Sequence, residues 1–211
     1  MAYLFQKTVA VLVLTVSGIL ACIQPAIAAD DPAAVPQALV EKVAGELFVV
    51  AKANVGAKAT SEEYYAKVEE ILERVVDFPY IARVVMGKKA GSEATPEQIK
   101  QFAEVFKDGL VRSYAKGIAA YADSEMKFLP ADVNPQRPDA VVVRQEVMDQ
   151  GNVHHLAYSM RQNKKTKEWK LLNVTLNGVN LGESFRSQFN QAYIKQSGDI
   201  DKVINTWLSE A

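Results

Sequence analysis

The chain contains only two histidines, His154 and His155, and they are neighbours. They fall in residues 153–161, where alternating apolar and polar side chains predict a β-strand. Successive strand side chains point to opposite faces, so the pair cannot converge on one metal ion or one substrate. His154 shares its face with Leu156, Tyr158 and Met160 and reads as a histidine at the edge of a core. Glu62-Glu63 and Glu69-Glu70 lie on a helix dense with charge, the pattern of a solvated face rather than of an acid/base pair. The sequence has no HExxH, no glycine-rich phosphate loop and no nucleophile elbow. Asn173-Val174-Thr175 matches a glycosylation sequon, but inside a predicted strand the match is incidental. Lys164, Lys165 and Lys167 fall in a hairpin turn, where they serve solubility or the docking of an acidic partner. An enzymatic reading would have to draw its acid or base from His154, Tyr158 or Asp77. No metal, cofactor or catalytic set accompanies them.

Composition narrows the classes further. Lysine and arginine number 24 against 25 acidic residues, a balance that leaves no electrostatic footprint for nucleic acid. Lys7 is the sole charge before Asp30, and it precedes an apolar or small run, residues 8–22, too short to span a bilayer comfortably. Ala26-Ile27-Ala28 then offers the small residues of a signal-peptidase site, so residues 1–28 are expected to be a cleaved signal peptide. Lipoprotein processing at Cys22 would place bulky Leu20 where a small residue is preferred. Cleavage after Ala28 removes the only cysteine and leaves residues 29–211 as a single domain without disulfides or thiolate chemistry.

The elements that must position any site change period halfway along. Residues 32–36 read as a mobile leader. Leu39, Val43, Leu47 and Val50 recur at helical spacing, and Gly56 ends that helix. Thr60 with Glu63 predicts a capping box for a second helix bearing Tyr65, Val68, Leu72 and Val75. Asp77-Phe78-Pro79 opens a short third helix ending near Met86-Gly87. Thr95-Pro96-Glu97-Gln98 combines a capping hydroxyl, proline at the first helical position and glutamine at the third. It starts the longest helix, striped by Ile99, Phe102, Phe106, Leu110, Tyr114, Ile118 and Tyr121. Residues 126–129 then predict a short strand and residues 130–138 a proline-rich loop. Residues 140–148 alternate Val141, Val143, Gln145 and Val147 against Val142, Arg144 and Glu146. Further strands follow at 153–161 and 169–176, joined by hairpin-length turns. Asn180 and Glu183 cap a helix through Phe185 and Phe189, and Gly198 separates a last short one. The expected class is α+β, with helices packed on a curved antiparallel sheet of about four strands.

Two stretches carry a specific resemblance. One is Val76-Asp77-Phe78-Pro79-Tyr80-Ile81-Ala82-Arg83-Val84-Val85-Met86-Gly87, followed by Thr95-Pro96-Glu97-Gln98 and by Leu110-Val111-Arg112-Ser113-Tyr114. The other is Glu168-Trp169-Lys170-Leu171-Leu172-Asn173-Val174, then Gly178-Val179-Asn180-Leu181 and Phe185-Arg186-Ser187-Gln188-Phe189. In order and spacing the sequence resembles the MlaC/toluene-tolerance family over nearly the whole mature chain. It departs from the family pattern at Asn173 and Asn180, where aspartate and serine are usual, and at Lys88-Lys89, where aromatic residues are usual.

The resemblance implies a nuclear-transport-factor-2-like scaffold and a monomeric periplasmic carrier of phospholipid. Such a carrier would pass lipid between an outer-membrane lipoprotein complex and an inner-membrane ABC transporter with its substrate-binding ring, maintaining outer-membrane asymmetry. Periodicity alone describes a solid core. It is the resemblance that implies helices and sheet splayed around acyl chains, with phospholipid as cargo and no cofactor. On that basis Val84, Phe106, Leu110, Val143, Tyr158, Met160, Leu171, Val179 and Phe185 are the expected lipid-binding lining. Arg83, Arg112 and Arg186 either meet a phosphate or serve as structural ion-pair partners. Residues 87–95 and 177–182 carry chain breakers and are the expected movable elements. The alternatives are a small enzyme on the same scaffold and a ligand-free adaptor with a solid core. Solvent extraction of the purified protein separates them.

Overall fold

The computed structural model describes residues 31–207, so the expected signal peptide and its cleavage site lie outside the described residues. Four helices come first: α1 (Ala34–Ala53), α2 (Glu62–Glu73), α3 (Phe78–Glu93) and α4 (Pro96–Ala120), with a 3-10 turn at Gly56–Thr60. Five strands follow, β1 (Glu125–Asn134), β2 (Arg137–Asp149), β3 (Asn152–Gln162), β4 (Trp169–Leu176) and β5 (Val179–Asn180). Then come α5 (Leu181–Lys195) and α6 (Ile200–Thr206). The strands pair antiparallel in sequence order to form an open sheet, as expected of an α+β domain, with five strands rather than about four.

Local chemistry explains most of the boundaries. The Thr95 hydroxyl accepts from the Gln98 N–H, and the Gln98 side chain accepts from the Thr95 N–H, completing the expected capping box. At α2 the cap is Ser61, which accepts from the Tyr64 N–H, one residue beyond the expected Thr60. Gly87 (φ 73°) bends α3 where the short helix was expected to end, and a second helical limb continues to Glu93. The expected leader at 32–36 is in part the first turn of α1, with Ala33 and Pro36 buried; proline is tolerated there because first-turn N–H groups lack helical partners. The expected loop at 130–138 is mostly strand. Pro130 is accommodated because β1 is an edge strand whose register shifts between Leu129 and Asp132.

The apolar interior divides into three clusters. Phe78, Phe102, Phe106, Phe189 and Trp207 join α3, α4, α5 and α6, with Phe102 edge-on to both Phe189 and Trp207. Val40, Val75, Val141, Val143, Met160 and Trp169 join α1 to the sheet. Tyr64, Val68, Val111 and Ala115 join α2 to α4, where the buried Tyr64 hydroxyl donates to the Ala115 carbonyl at 2.7 Å. The helical layer is therefore bonded within itself, and it meets the sheet mainly through α1 on β2 and through α3 and α5 on β4.

Ion pairs reinforce the α2–α4 contact from outside. Arg112 forms a two-pronged pair with Glu62 at 2.8 and 2.9 Å and also holds Asp108. Lys107 is buried and donates to Glu69 (2.8 Å), Glu73 (2.5 Å) and Glu104 (2.8 Å). Glu62, Glu63 and Glu70 lie on the exposed face of α2, as expected, and from it Glu62 and Glu69 also reach across to α4. Burial opposes the Lys107 charge, but the hydrogen bonds to Glu104, Glu69 and Glu73 outweigh it and hold the ammonium above the usual lysine range. With the folded value raised, this contribution is complete below the unfolded lysine pKa of about 10.4 and is lost only as pH rises through the folded one. We predict that Lys107→Met, which leaves three carboxylates without their shared cation, lowers unfolding stability by about 1–3 kcal/mol in urea titrations at neutral pH. An unchanged midpoint would show that the cluster contributes nothing.

Candidate functional site

Between the three clusters the sheet and the helical layer fail to meet, leaving a cavity of about 360 Å3. Its walls contain members of each cluster: Phe78 and Phe106, Val40 and Val75, Val68 and Val111. Leu47 and Phe48 of α1, Leu110, Tyr114 and Ile118 of α4, and Tyr121 just past its end form the helical side. Gln145, Val147, Leu156, Tyr158, Leu171, Val174 and Leu176 form the sheet side, and Leu181 and Phe185 of α5 stand at one margin. Tyr114 and Gly117 of α4 are the exposed wall residues, and Tyr114 stands edge-on to Phe185, which places an opening between the C-terminal half of α4 and the start of α5.

Of the residues expected to line a lipid site, Phe106, Leu110, Tyr158, Leu171 and Phe185 stand together on these walls. Four expected lining residues stand elsewhere. Val143 and Met160 share the inward face of the sheet, but α1 closes over that half of it and buries them in solid core. Val84 is 43 % exposed, because α3 turns Phe78, Ala82, Val85 and Met86 inward and leaves Val84 on the opposite side. Val179 is 55 % exposed; its neighbour Asn180 turns inward to cap α5, so strand alternation sends Val179 out. The sequence reading also missed Leu156, Val174, Leu176 and the α1 face, although the α1 stripe at Val43 and Leu47 was a readable signal.

Polar groups on the walls are few. Gln145, in line with Val141, Val143 and Val147, is 2 % exposed; its Oε1 accepts from the Tyr158 hydroxyl at 2.5 Å. Burial pushes the Tyr158 pKa upward, so the hydroxyl keeps its proton and remains a donor. His154 lies near the opening, edge-on to Tyr121 and 3.2 Å from the Asn177 amide. Asn173 Oδ1 accepts from the Gly182 N–H and its Nδ2 donates to Asn180 Oδ1, both at 2.9 Å. The two asparagines that depart from the family pattern are therefore each other's partners, and the sequon asparagine has both amide ends engaged. A side chain at Gly182 would put its Cβ 2.8 Å from Asn173 Oδ1, so any substitution there would have to displace the Asn173 amide from its place in this joint between β4 and α5.

The remaining expectations sort by position. Asp77 caps α3 by accepting from the Tyr80 N–H, away from Tyr158 and His154 in role. Arg112 is the ion-pair partner described above. Arg83 and Arg186 are exposed; Arg186 lies over Gly87 in a separate polar recess with Lys88, Lys89 and Glu183. Of the two expected movable elements, residues 87–95 belong to the far limb of α3 and its connection to α4. Residues 177–182 contribute Leu181 and Gly182 to the cavity. Asn177 and Gly178 both have positive φ between the paired Leu176 and Val179, the two-residue hairpin geometry that favours Asn-Gly.

The family model described as MlaC protein matches residues 41–209. The chain belongs to the MlaC family. A relative, the toluene tolerance protein ttg2D of Pseudomonas putida, is 31 % identical over 185 residues, covering 87 % of this chain and 83 % of that protein. Among solved structures, a phospholipid-binding protein from Ralstonia solanacearum, crystallised in complex with a phospholipid, superposes with a TM-score of 0.72 at 24 % identity. The match covers 82 % of this chain and 94 % of that one. This MlaC-family chain thus shares the α+β fold of the Ralstonia protein, and no helix among its described residues is long and apolar enough to cross a membrane.

Substitutions should separate wall from core. Leu156→Trp, which projects into empty space, is expected to leave the urea midpoint near that of the parent and abolish the fluorescence rise of an apolar naphthalene dye. Val143→Asp should unfold the protein, because an unpaired carboxylate in solid core costs several kcal/mol. Val84→Asp and Val179→Asp should change neither readout. Loss of dye binding in either surface variant would contradict this assignment.

Proposed function

We propose that this protein is a phospholipid carrier of the periplasm that holds acyl chains in the cavity and keeps the head group at its opening. The observation that carries the reading is a cavity with almost wholly apolar walls in a chain of the MlaC family. The fold it shares with a protein crystallised with phospholipid supports it.

The energetics show why such a carrier must enclose its cargo. Each methylene exposed to water costs about 0.8 kcal/mol, so two chains of roughly fifteen carbons cost on the order of 20 kcal/mol in the open. Every methylene held inside dry apolar walls is spared that cost, and exchange with a membrane moves towards balance accordingly. Release into buffer should therefore be negligible. Delivery needs a partner that docks at the opening and continues the apolar surface, a role that fits inner-membrane transporter and outer-membrane lipoprotein complexes. Leu181 and Phe185, on the margin next to the Asn177-Gly178 turn, are the elements we assign to the gate. A non-enzymatic role accords with a Tyr158 that stays protonated and an Asp77 that is engaged as a helix cap outside the cavity lining.

The test is solvent extraction of protein purified from the periplasm, followed by mass spectrometry. We expect diacyl phospholipid in a fixed ratio to protein, and the ratio should collapse in Leu156→Trp. Repeated preparations free of phospholipid would overturn the proposal, and turnover of an apolar substrate would replace it with an enzymatic one.

A further inference from the structure

Among the described residues no lysine, arginine, aspartate or glutamate lines the cavity, and His154 is the one wall residue able to carry a positive charge. It stands half-buried on the inward face of β3 with Leu156 and Tyr158. Its neighbour Asn177 settles where its ring proton sits. The Asn177 backbone N–H donates to the His155 carbonyl at 2.8 Å, and Asn177 Oδ1 accepts from the His155 N–H at 2.8 Å. A backbone N–H can only donate, so this bond fixes which end of the Asn177 amide is oxygen. The NH2 end then lies 3.2 Å from His154 Nδ1, which must accept from it. The ring proton is therefore on Nε2. The one fully buried side-chain nitrogen or oxygen without a partner among the described residues is Gln145 Nε2, so the unpaired His154 Nε2 keeps accessible surface. Packing against Tyr121 alone would be served as well by phenylalanine and would need no amide to set the tautomer.

Resting on the reading of the cavity as a phospholipid site, we propose that His154 Nε2 donates a hydrogen bond to a phosphate oxygen of the bound lipid. With the acyl chains on apolar walls, the phosphodiester comes to rest where the wall turns polar and meets solvent. His154 marks that level, between Tyr121 just past the end of α4 and the exposed Asn177-Gly178 turn. A phosphate oxygen is the strongest acceptor a phospholipid offers, and a bond to an ionised acceptor is roughly twice as strong as a neutral one. Because the donor is neutral, the wall carries no unpaired charge before lipid enters. Asn177 acts as the positioning residue, holding the ring in its donor tautomer. The carrier then selects lipids that bear a phosphate over diacylglycerols with the same chains, and ignores what is esterified beyond the phosphate.

The experiment uses His155→Gln protein, which keeps His154 as the single histidine and alters only the opposite face of β3, where His155 meets Glu146. Labelled with 15N-histidine and loaded with dipalmitoyl phosphatidylglycerol, it is read by solid-state NMR for dephasing of the ring nitrogens by the lipid 31P. Nε2 should be dephased more strongly than Nδ1. Absence of dephasing in the loaded protein would overturn the inference while leaving the carrier reading intact. Competitive loading from vesicles of equal dipalmitoyl phosphatidylglycerol and dipalmitoylglycerol gives a second readout. His154→Phe should lower the bound phospholipid-to-diacylglycerol ratio roughly tenfold relative to wild type, the share of one hydrogen bond to a charged acceptor. An unchanged ratio would overturn the inference as well. Asn177→Gly, which tolerates the positive φ of the turn, should bring the two ring 15N shifts together as the tautomers mix. Shifts that stay apart would remove Asn177 from its positioning role. Inorganic phosphate titrated into lipid-free protein should leave the Nε2 resonance in place; movement of it would mean a site for free anions and overturn the lipid contact. If neither lipid loads, the carrier reading itself fails and this inference falls with it.

Discussion

The structure depends on one mismatch: the inward face of the sheet is larger than the helices can cover. Protein interiors normally close to crystal-like density, and a void of this size costs the folded state on the order of several kcal/mol. Here the gap persists because the layers around it are secured elsewhere. The α2–α4 wall is held by Tyr64 on the Ala115 carbonyl, by the Arg112–Glu62 pair and by the Lys107 cluster, none of which needs the sheet. α1 closes over only the Val141–Val143 half of β2. A ligand that fills the remainder recovers the missing contacts and stabilises the fold by mass action.

The same division separates structural polar groups from those open to the cavity. Asn173, Asn180 and Gly182 form a closed hydrogen-bonded joint at the start of α5, directly beside the opening. Their bonds satisfy one another and fix where the margin helix begins. The Gln145–Tyr158 pair is buried in the sheet-side wall, with the tyrosine hydroxyl donating to the glutamine side chain.

Much of this was legible from sequence where short-range chemistry decides the outcome. The Thr95–Gln98 box, the Asn180 cap, the break at Gly87 and the alternation of β2 and β3 all follow from local side-chain and backbone preferences. Legibility failed where tertiary context chooses among equivalent local patterns. Residues 78–86 are apolar on nearly every side of their helix, so periodicity could not say that Val85 turns in and Val84 out. Val143 and Leu171 both read as inward-facing strand residues; only the placement of α1 makes one core and the other wall. Pro130 read as loop because proline breaks a ladder, and only the sheet order reveals that its strand is an edge. Gln145 was visible as the one polar residue in an apolar row, yet its unpaired amide could be known only from the packed structure.

The central claim is that the walls between α4, α1 and the sheet, rather than the outer apolar residues, receive the acyl chains. Methyl nuclear Overhauser contacts between protonated phospholipid and deuterated, methyl-labelled protein measure this directly. The account predicts cross-peaks from acyl methylenes to the methyls of Leu110, Leu156 and Val174 and none to Val84 or Val179. Contacts to Val84 or Val179 with silence from the three wall residues would contradict it.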